Sequence, residues 1–127
     1  MELVGRRKTN KNLEQVRSLD RIRSLTIANT SIDDKGLGLL ATAERLEELH
    51  ISSQLMTDTS MSVFCELPRL RSLFLDDVPN VTDAGIANIK KLNNLIELLL
   101  RGTQLSNEGL DSILHLSNLS VLETVRK

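Results

Sequence analysis

The stretch that decides the fold is residues 92–110, LNNLIELLLRGTQLSNEGL. It contains the phrase LxxLxLxxTxL followed by a glycine and a leucine. Copies that match this phrase more or less closely recur along the chain. The leucine at the position of Leu98 recurs at spacings of 24, 24, 25 and 24 residues, at Leu25, Leu49, Leu73, Leu98 and Leu122. A fixed period of this length predicts a repeated unit made of one short strand and one helical segment.

Aligning the copies produces seven columns of apolar residues, which is too regular to be chance. Because side chains alternate across a strand, Leu98 and Leu100 are predicted to face a core, and Glu97, Leu99 and Arg101 to face away from it. Strands of successive units should pair in parallel. Stacking then buries an apolar face that one unit cannot bury alone.

The chain is long enough for one domain, so residues 1–127 are predicted to form a single domain of about five coils of 24–25 residues. Leu3 falls at the register of Ile27. Residues 1–12 are therefore interpreted as the end of a strand followed by a basic loop, and residues 12–19 as a helix.

A common phrase precedes each helical segment. Its first residue can cap the free N–H groups of a helix, at Asp33, Thr57, Thr82 and Ser106. An acidic residue beside the cap is expected to complement the helix dipole. Glycine follows three positions after the cap at Gly36, Gly85 and Gly109, which indicates the same close backbone approach in three units.

Residues 81–110, VTDAGIANIKKLNNLIELLLRGTQLSNEGL, resemble the bacterial leucine-rich repeats whose unit reads LxxLxxLxLxxTxITDxGL. The same phrase occurs in the F-box-associated and cysteine-containing repeats of eukaryotes. The resemblance covers essentially the whole chain. It implies an α/β leucine-rich-repeat solenoid, right-handed and curved. The resemblance places a parallel sheet of about five strands on the concave face, where it binds other proteins, and short helices on the convex face.

Composition excludes several classes of protein. Apolar residues make up 40% of the chain and charged residues 26%, as in globular domains. The net charge of −1 argues against a general nucleic-acid binder. Arg6, Arg7, Lys8 and Lys11 form either a nucleic-acid or localisation patch or a solvated loop. One cysteine, Cys65, fits a reducing compartment. No apolar run approaches the roughly 18 residues of a membrane span, so a cytoplasmic protein without membrane partners is expected.

The outward positions of the predicted strands form a compact set of candidate partner-binding residues: Glu48, His50, Phe74, Asp76, Glu97, Leu99, Arg101 and Glu123. Phe74 and Leu99 stand out because the pattern calls for polar or small residues there. An exposed aromatic beside an exposed leucine, with charges around both, is typical of a contact site. Asp76 and Arg101 are expected to pair with each other.

Charged residues of alternating sign precede the strands, at Arg21, Arg45 and Arg69 in one register and at Arg23, Glu47 and Arg71 in another. The pattern indicates either mutual pairing on a solvated edge or a site for an anionic partner. The first alternative needs no ligand.

Catalysis finds little support in the sequence. His115 is predicted on the exposed helix face, and Cys65 on a helix flank has no histidine partner because His50 lies on the opposite side. Neither a metal-binding motif nor a glycine-rich phosphate loop is present. We therefore expect a non-enzyme with no cofactor and no small-molecule substrate.

The sequence predicts a module that binds a protein partner through the face carrying Phe74 and Leu99. A first alternative is an assembly element that pairs through the edge of the final strand, Val121–Val125, with another copy, with further coils of a longer parent chain or with a partner strand. A second alternative, suggested by the resemblance, is a fragment of an F-box-type substrate receptor.

Overall fold

The computed structural model describes residues 1–114, 116 and 118–125. Its strands form one all-parallel sheet in which spatial order follows sequence order. The strands are β1 (Glu2–Val4), β2 (Ser24–Ala28), β3 (Glu48–Ser52), β4 (Ser72–Asp76), β5 (Glu97–Arg101) and β6 (Val121–Val125). The sheet thus has six strands where about five were expected, because the short β1 joins its edge.

Short helical segments connect the end of each strand to the start of the next. The α-helices are α1 (Asn10–Glu14), α2 (Asp34–Leu37), α3 (Asp58–Phe64), α4 (Asp83–Ile86) and α5 (Asn107–Leu114). Three 3₁₀ turns, Leu19–Arg21, Gly38–Thr42 and Ala87–Lys91, add to them. The fold is therefore α/β. None of the described helices combines the length and the apolar character needed to cross a bilayer.

The helix predicted over residues 12–19 has different bounds in the structure. It begins at Asn10 and ends at Glu14. The N–H of Thr9 donates to the side-chain oxygen of Asn12 at 2.8 Å, which places the helix start two residues earlier than predicted. The position predicted for His115 lies outside the described residues.

The strand register is the one that the spacing of leucines predicts. Leu25 pairs with Leu49, Leu49 with Leu73, and Leu73 with Leu98. Leu3 pairs with Ile27, so the strand predicted at the start of the chain is present. The inward residues pack against the helices in one continuous apolar core. We call the opposite side of the sheet the outer face.

The strands β1 to β5 each end in a sharp turn, which in four of these five cases uses a residue in the left-handed region. These residues are Gly5, Asn29, Asp77 and Gly102, with φ between 53° and 108°. Glycine enters this region freely, and asparagine and aspartate are the side-chain-bearing residues that tolerate it best. After β3 the turn is made differently. There the Ser53 hydroxyl accepts hydrogen bonds from the next backbone N–H groups.

The predicted caps form at the helix starts. The Asp33 carboxylate accepts from the N–H groups of Lys35 and Gly36. Thr57 and Thr82 each accept from the N–H two residues on, at 3.3 Å in both cases. These contacts satisfy N–H groups that would otherwise lack a partner in the first helical turn.

The acidic residue beside three of the caps, at Asp34, Asp58 and Asp83, does more than complement its own helix dipole, which was the predicted role. Its carboxylate reaches the cap residue of the next unit. Asp58 accepts from the N–H and the hydroxyl of Thr82, at 2.8 and 2.6 Å. Asp34 bonds Thr57 in the same way, and Asp83 bonds Ser106. We call this series the carboxylate ladder.

Hydrogen bonds favour the ionised carboxylates of two ladder residues, Asp34 and Asp83. The Ser106 hydroxyl and N–H lower the pKa of Asp83. Burial acts to raise the pKa of Asp34, but hydrogen bonds from Ser60 and Thr57 outweigh it, and the net direction is downward. The ladder is therefore a set of charge-assisted contacts at neutral pH.

The recurring glycines leave room for the ladder. A Cβ atom at Gly85 would collide with the carboxylate of Asp58, and one at Gly109 with that of Asp83. At Gly36 it would collide with the side-chain amide of Asn10, which contacts Asp33 at 2.8 Å. The predicted close approach is therefore present, and the group that approaches is the polar side chain of the preceding unit.

Candidate functional site

The eight candidate residues all lie on the outer face of the sheet. Backbone register sets His50 beside Phe74, Phe74 beside Leu99, and Leu99 beside Glu123 on four neighbouring strands. The four other candidates lie around this row, at Glu48, Asp76, Glu97 and Arg101. We call His50, Phe74 and Leu99 the central patch.

Phe74 and Leu99 are half-buried, although both were expected to be exposed. The rings of His50 and Phe74 lie edge to face, with centroids 4.3 Å apart and planes at 72°. This arrangement is favourable for aromatic pairs, and it covers part of Phe74. The two apolar side chains are therefore supported by neighbours and keep a defined position, while retaining accessible surface.

A shallow cavity of about 200 Å³ lies on the central patch. Its side walls come from strands β2 to β5, at Thr26, Ala28, His50, Ser52, Phe74, Asp76 and Leu99. Pockets for small molecules usually measure roughly 300–1,000 Å³. The size of this cavity suits one inserted side chain. The small side chains of Ala28 and Ser52 leave space for this cavity. Their size is visible in the sequence, but it was not used in the prediction.

The predicted pair of Asp76 and Arg101 does not form. Arg101 Nη2 instead lies 2.9 Å from Glu123 Oε1. The hydrogen bond and the charge of Glu123 raise the pKa of Arg101, and Asp76 adds only a smaller electrostatic effect. Arg101 had two acidic neighbours available, and the one on β6 has the better geometry. No ion pair or side-chain hydrogen bond involves the Asp76 carboxylate among the described residues.

The edge where the strands begin carries the charge pairs that the sequence predicted. The Glu47 carboxylate lies between Arg23 and Arg71, at 3.9 and 3.7 Å. Both arginines are largely exposed, so each pair contributes at most about 1 kcal/mol. A cleft of about 380 Å³ runs beside them, also lined by Arg69.

Cys65 is placed where it is chemically inert. It caps the C-terminus of α3 on the helical side of the domain and is 2% exposed. Burial raises the pKa of the Cys65 thiol to about 12, so almost none of it is thiolate at neutral pH. His50 projects from the outer face and cannot reach it. Within the described part of the chain, no group of three or more metal-binding side chains comes together.

One exposed apolar residue escaped the sequence reasoning. Leu55 is 49% exposed in a larger cleft of about 610 Å³ at the edge where the strands end. A signal was present, because the residue before the buried apolar position is polar in the other units, at Ser31, Asn80 and Gln104. The cleft itself is lined mostly by polar groups, so it lacks an apolar centre.

Comparison with known proteins leaves the chain without a family assignment. No protein-family model matches it, and no curated protein matches it significantly.

Proposed function

We propose that this chain is a leucine-rich-repeat solenoid that binds a protein partner on the concave side of its sheet. Three observations support the architecture. Strand partners are one repeat apart in the sequence. Strands β1 to β5 each lead into a sharp turn, and the carboxylate ladder repeats the same contact between neighbouring units. Under this proposal the outer face is the concave surface.

The central patch is the single observation that carries the binding proposal. Phe74 and Leu99 lie side by side next to a cavity of about 200 Å³, on a face whose other described side chains are small or polar except for Val4 at the edge strand β1. Binding energy at protein interfaces is concentrated in a few central apolar or aromatic residues, surrounded by polar groups that exclude water. Here His50, Asp76 and Glu123 are the polar groups around Phe74 and Leu99.

The size and stiffness of the patch favour a protein ligand. A cavity that takes one side chain gives a small molecule little surface, whereas a protein partner gains contacts across the neighbouring strands as well. Phe74 is already held by His50, so binding immobilises few additional side chains. Preorganisation of this kind lowers the entropic cost of association.

The double variant Phe74→Ala/Leu99→Ala is expected to reduce partner capture at least tenfold, since central interface residues each contribute more than about 1 kcal/mol. The immobilised chain is exposed to cell extract, and retained proteins are quantified by mass spectrometry. Circular dichroism should show an unchanged fold.

The matched control is Leu55→Ala, which removes an exposed apolar side chain away from the outer face. It should retain the same proteins as the wild type. Equal capture by the Phe74/Leu99 variant and by the wild type would refute the proposed site.

A second candidate function is assembly through the end of the sheet that β6 forms. Leu114, on the last described helix α5, is 56% exposed. Leu114 is thus an apolar side chain in a position that another copy of the chain would bury. This alternative places the interface at one end of the sheet, away from the central patch.

Light scattering after size-exclusion chromatography separates the two candidates. If the second is correct, the wild type forms concentration-dependent dimers or longer assemblies, and Leu114→Glu is monomeric because a buried charge opposes association. Leu55→Glu, a charge at an exposed leucine elsewhere, should behave like the wild type. A wild type that stays monomeric at every concentration rules the second candidate out.

A further inference from the structure

The outer face is strongly acidic although the chain as a whole is almost neutral. Among the described residues its outward strand positions carry five carboxylates and one guanidinium, a net charge of −4 with histidine neutral; the carboxylates are Glu2, Glu48, Asp76, Glu97 and Glu123. The one guanidinium, Arg101, is paired with Glu123. The whole chain has a net charge of only −1.

Four of the basic residues of the chain line clefts at the two edges of the sheet. Arg23, Arg69 and Arg71 line the cleft where the strands begin. Arg6 lies in the cleft where the strands end. A partner that crosses the middle of the outer face therefore meets mainly carboxylates. Complementarity of charge is what selects partners at such surfaces.

Asp76 puts one of these carboxylates into the wall of the cavity on the central patch. The cavity has apolar walls at Phe74 and Leu99 and a carboxylate at Asp76. The neighbouring guanidinium of Arg101 is engaged by Glu123 at 2.9 Å, which leaves Asp76 without an ion pair among the residues described. The cavity therefore combines a place for an aliphatic chain with a place for a cation.

We propose that the partner inserts a lysine or arginine side chain into this cavity. The methylene stem packs on Phe74 and Leu99, and the cationic group contacts Asp76. Long basic side chains are suited to such a site because their stems are apolar while their ends are charged. The inference rests on the proposed function and identifies the partner as a basic segment.

Other occupants are disfavoured by the same geometry. A purely apolar side chain would remove water from the Asp76 carboxylate and leave it without a compensating partner. An acidic side chain would face like charges on β3, β4 and β5. A basic side chain is the one class that satisfies both the apolar walls and the carboxylate.

The test uses three blocked tripeptides, acetyl-Leu-X-Leu-amide, with X as arginine, norleucine or glutamate. Each is titrated into the full isotopically labelled chain, and amide shifts are followed by NMR. The arginine peptide should produce saturable shifts at His50, Ser52 and Phe74, with affinity about five- to tenfold above that of the norleucine peptide. The affinity of the arginine peptide should fall as the salt concentration increases, whereas that of the norleucine peptide should not.

Two variants show which group is responsible. Asp76→Asn should abolish the advantage of arginine over norleucine while leaving norleucine binding unchanged. Glu108→Gln, which removes an exposed carboxylate on α5, should leave all affinities as in the wild type. Phe74→Ala should weaken both peptides, because each uses the apolar wall.

Equal affinity for the arginine and norleucine peptides would overturn the proposal of a basic segment. So would the absence of a saturable shift with the arginine peptide at about 10 mM. Either result leaves the broader function standing if Phe74→Ala/Leu99→Ala still loses the captured protein. Failure of that capture experiment instead removes the proposed function itself. The two failures are therefore distinguishable.

Discussion

Gly85→Ala should destabilise the domain by about 2–4 kcal/mol, combining the strain of an inserted methyl group with a weakened charge-assisted hydrogen bond. The new Cβ would collide with the Asp58 carboxylate and press on Met61. Displacing Asp58 weakens its two contacts with Thr82. Urea unfolding followed by circular dichroism measures the effect, since the chain has neither tryptophan nor tyrosine for fluorescence.

Gly38→Ala is the matched control. Gly38 has φ of −60°, and nothing lies within 4 Å of the position where a Cβ would stand. Alanine should therefore be neutral or stabilising by up to about 1 kcal/mol, because it restricts the unfolded chain. Equal stabilities for the Gly85 and Gly38 variants would show that the ladder does not require glycine at residue 85.

Leu100→Ala is expected to cost about 2–5 kcal/mol, whereas Leu99→Ala should cost no more than about 1 kcal/mol. The two leucines are adjacent in β5, yet Leu100 is 0% exposed and Leu99 is half-buried on the outer face. Alternation of side chains across the strand accounts for the difference. Equilibrium unfolding of the two single variants, analysed with a common denaturant slope, measures both.

The Leu99 variant should lose partner capture even though it stays folded, while the Leu100 variant should bind normally at temperatures where it is folded. Similar losses of stability in the two variants would contradict the assignment of the inner and outer faces. A Leu99 variant with full capture would place the contact elsewhere on the outer face.

Much of the fold could be predicted because it depends on local periodicity. The spacing of Leu25, Leu49, Leu73 and Leu98 determines the strand register, and Leu3 extends it to β1. Caps at Thr57 and Thr82 followed from residue type alone. These features involve residues close in sequence, or a pattern repeated without interruption.

The features that escaped prediction depend on which distant group a side chain selects. The partner of Asp58 lies 24 residues ahead, and nothing in the phrase distinguishes it from a simple dipole contact. Arg101 had carboxylates on two neighbouring strands and pairs with Glu123. The exposure of Phe74 depends on the rotamer of His50. Periodicity places such residues on a face but does not choose among their neighbours.

The carboxylate ladder has a consequence for how such a chain can change in length. Each aspartate reaches only the cap of the next unit, and each strand pairs only with the strands before and after it in the sequence. A segment that starts at one ladder aspartate and ends just before the next therefore contains both that aspartate and the cap residue that it contacts. If such a segment is duplicated or deleted, every remaining ladder aspartate still meets a cap residue in the next unit. The chain can therefore lengthen or shorten by whole segments without changes in the neighbouring segments.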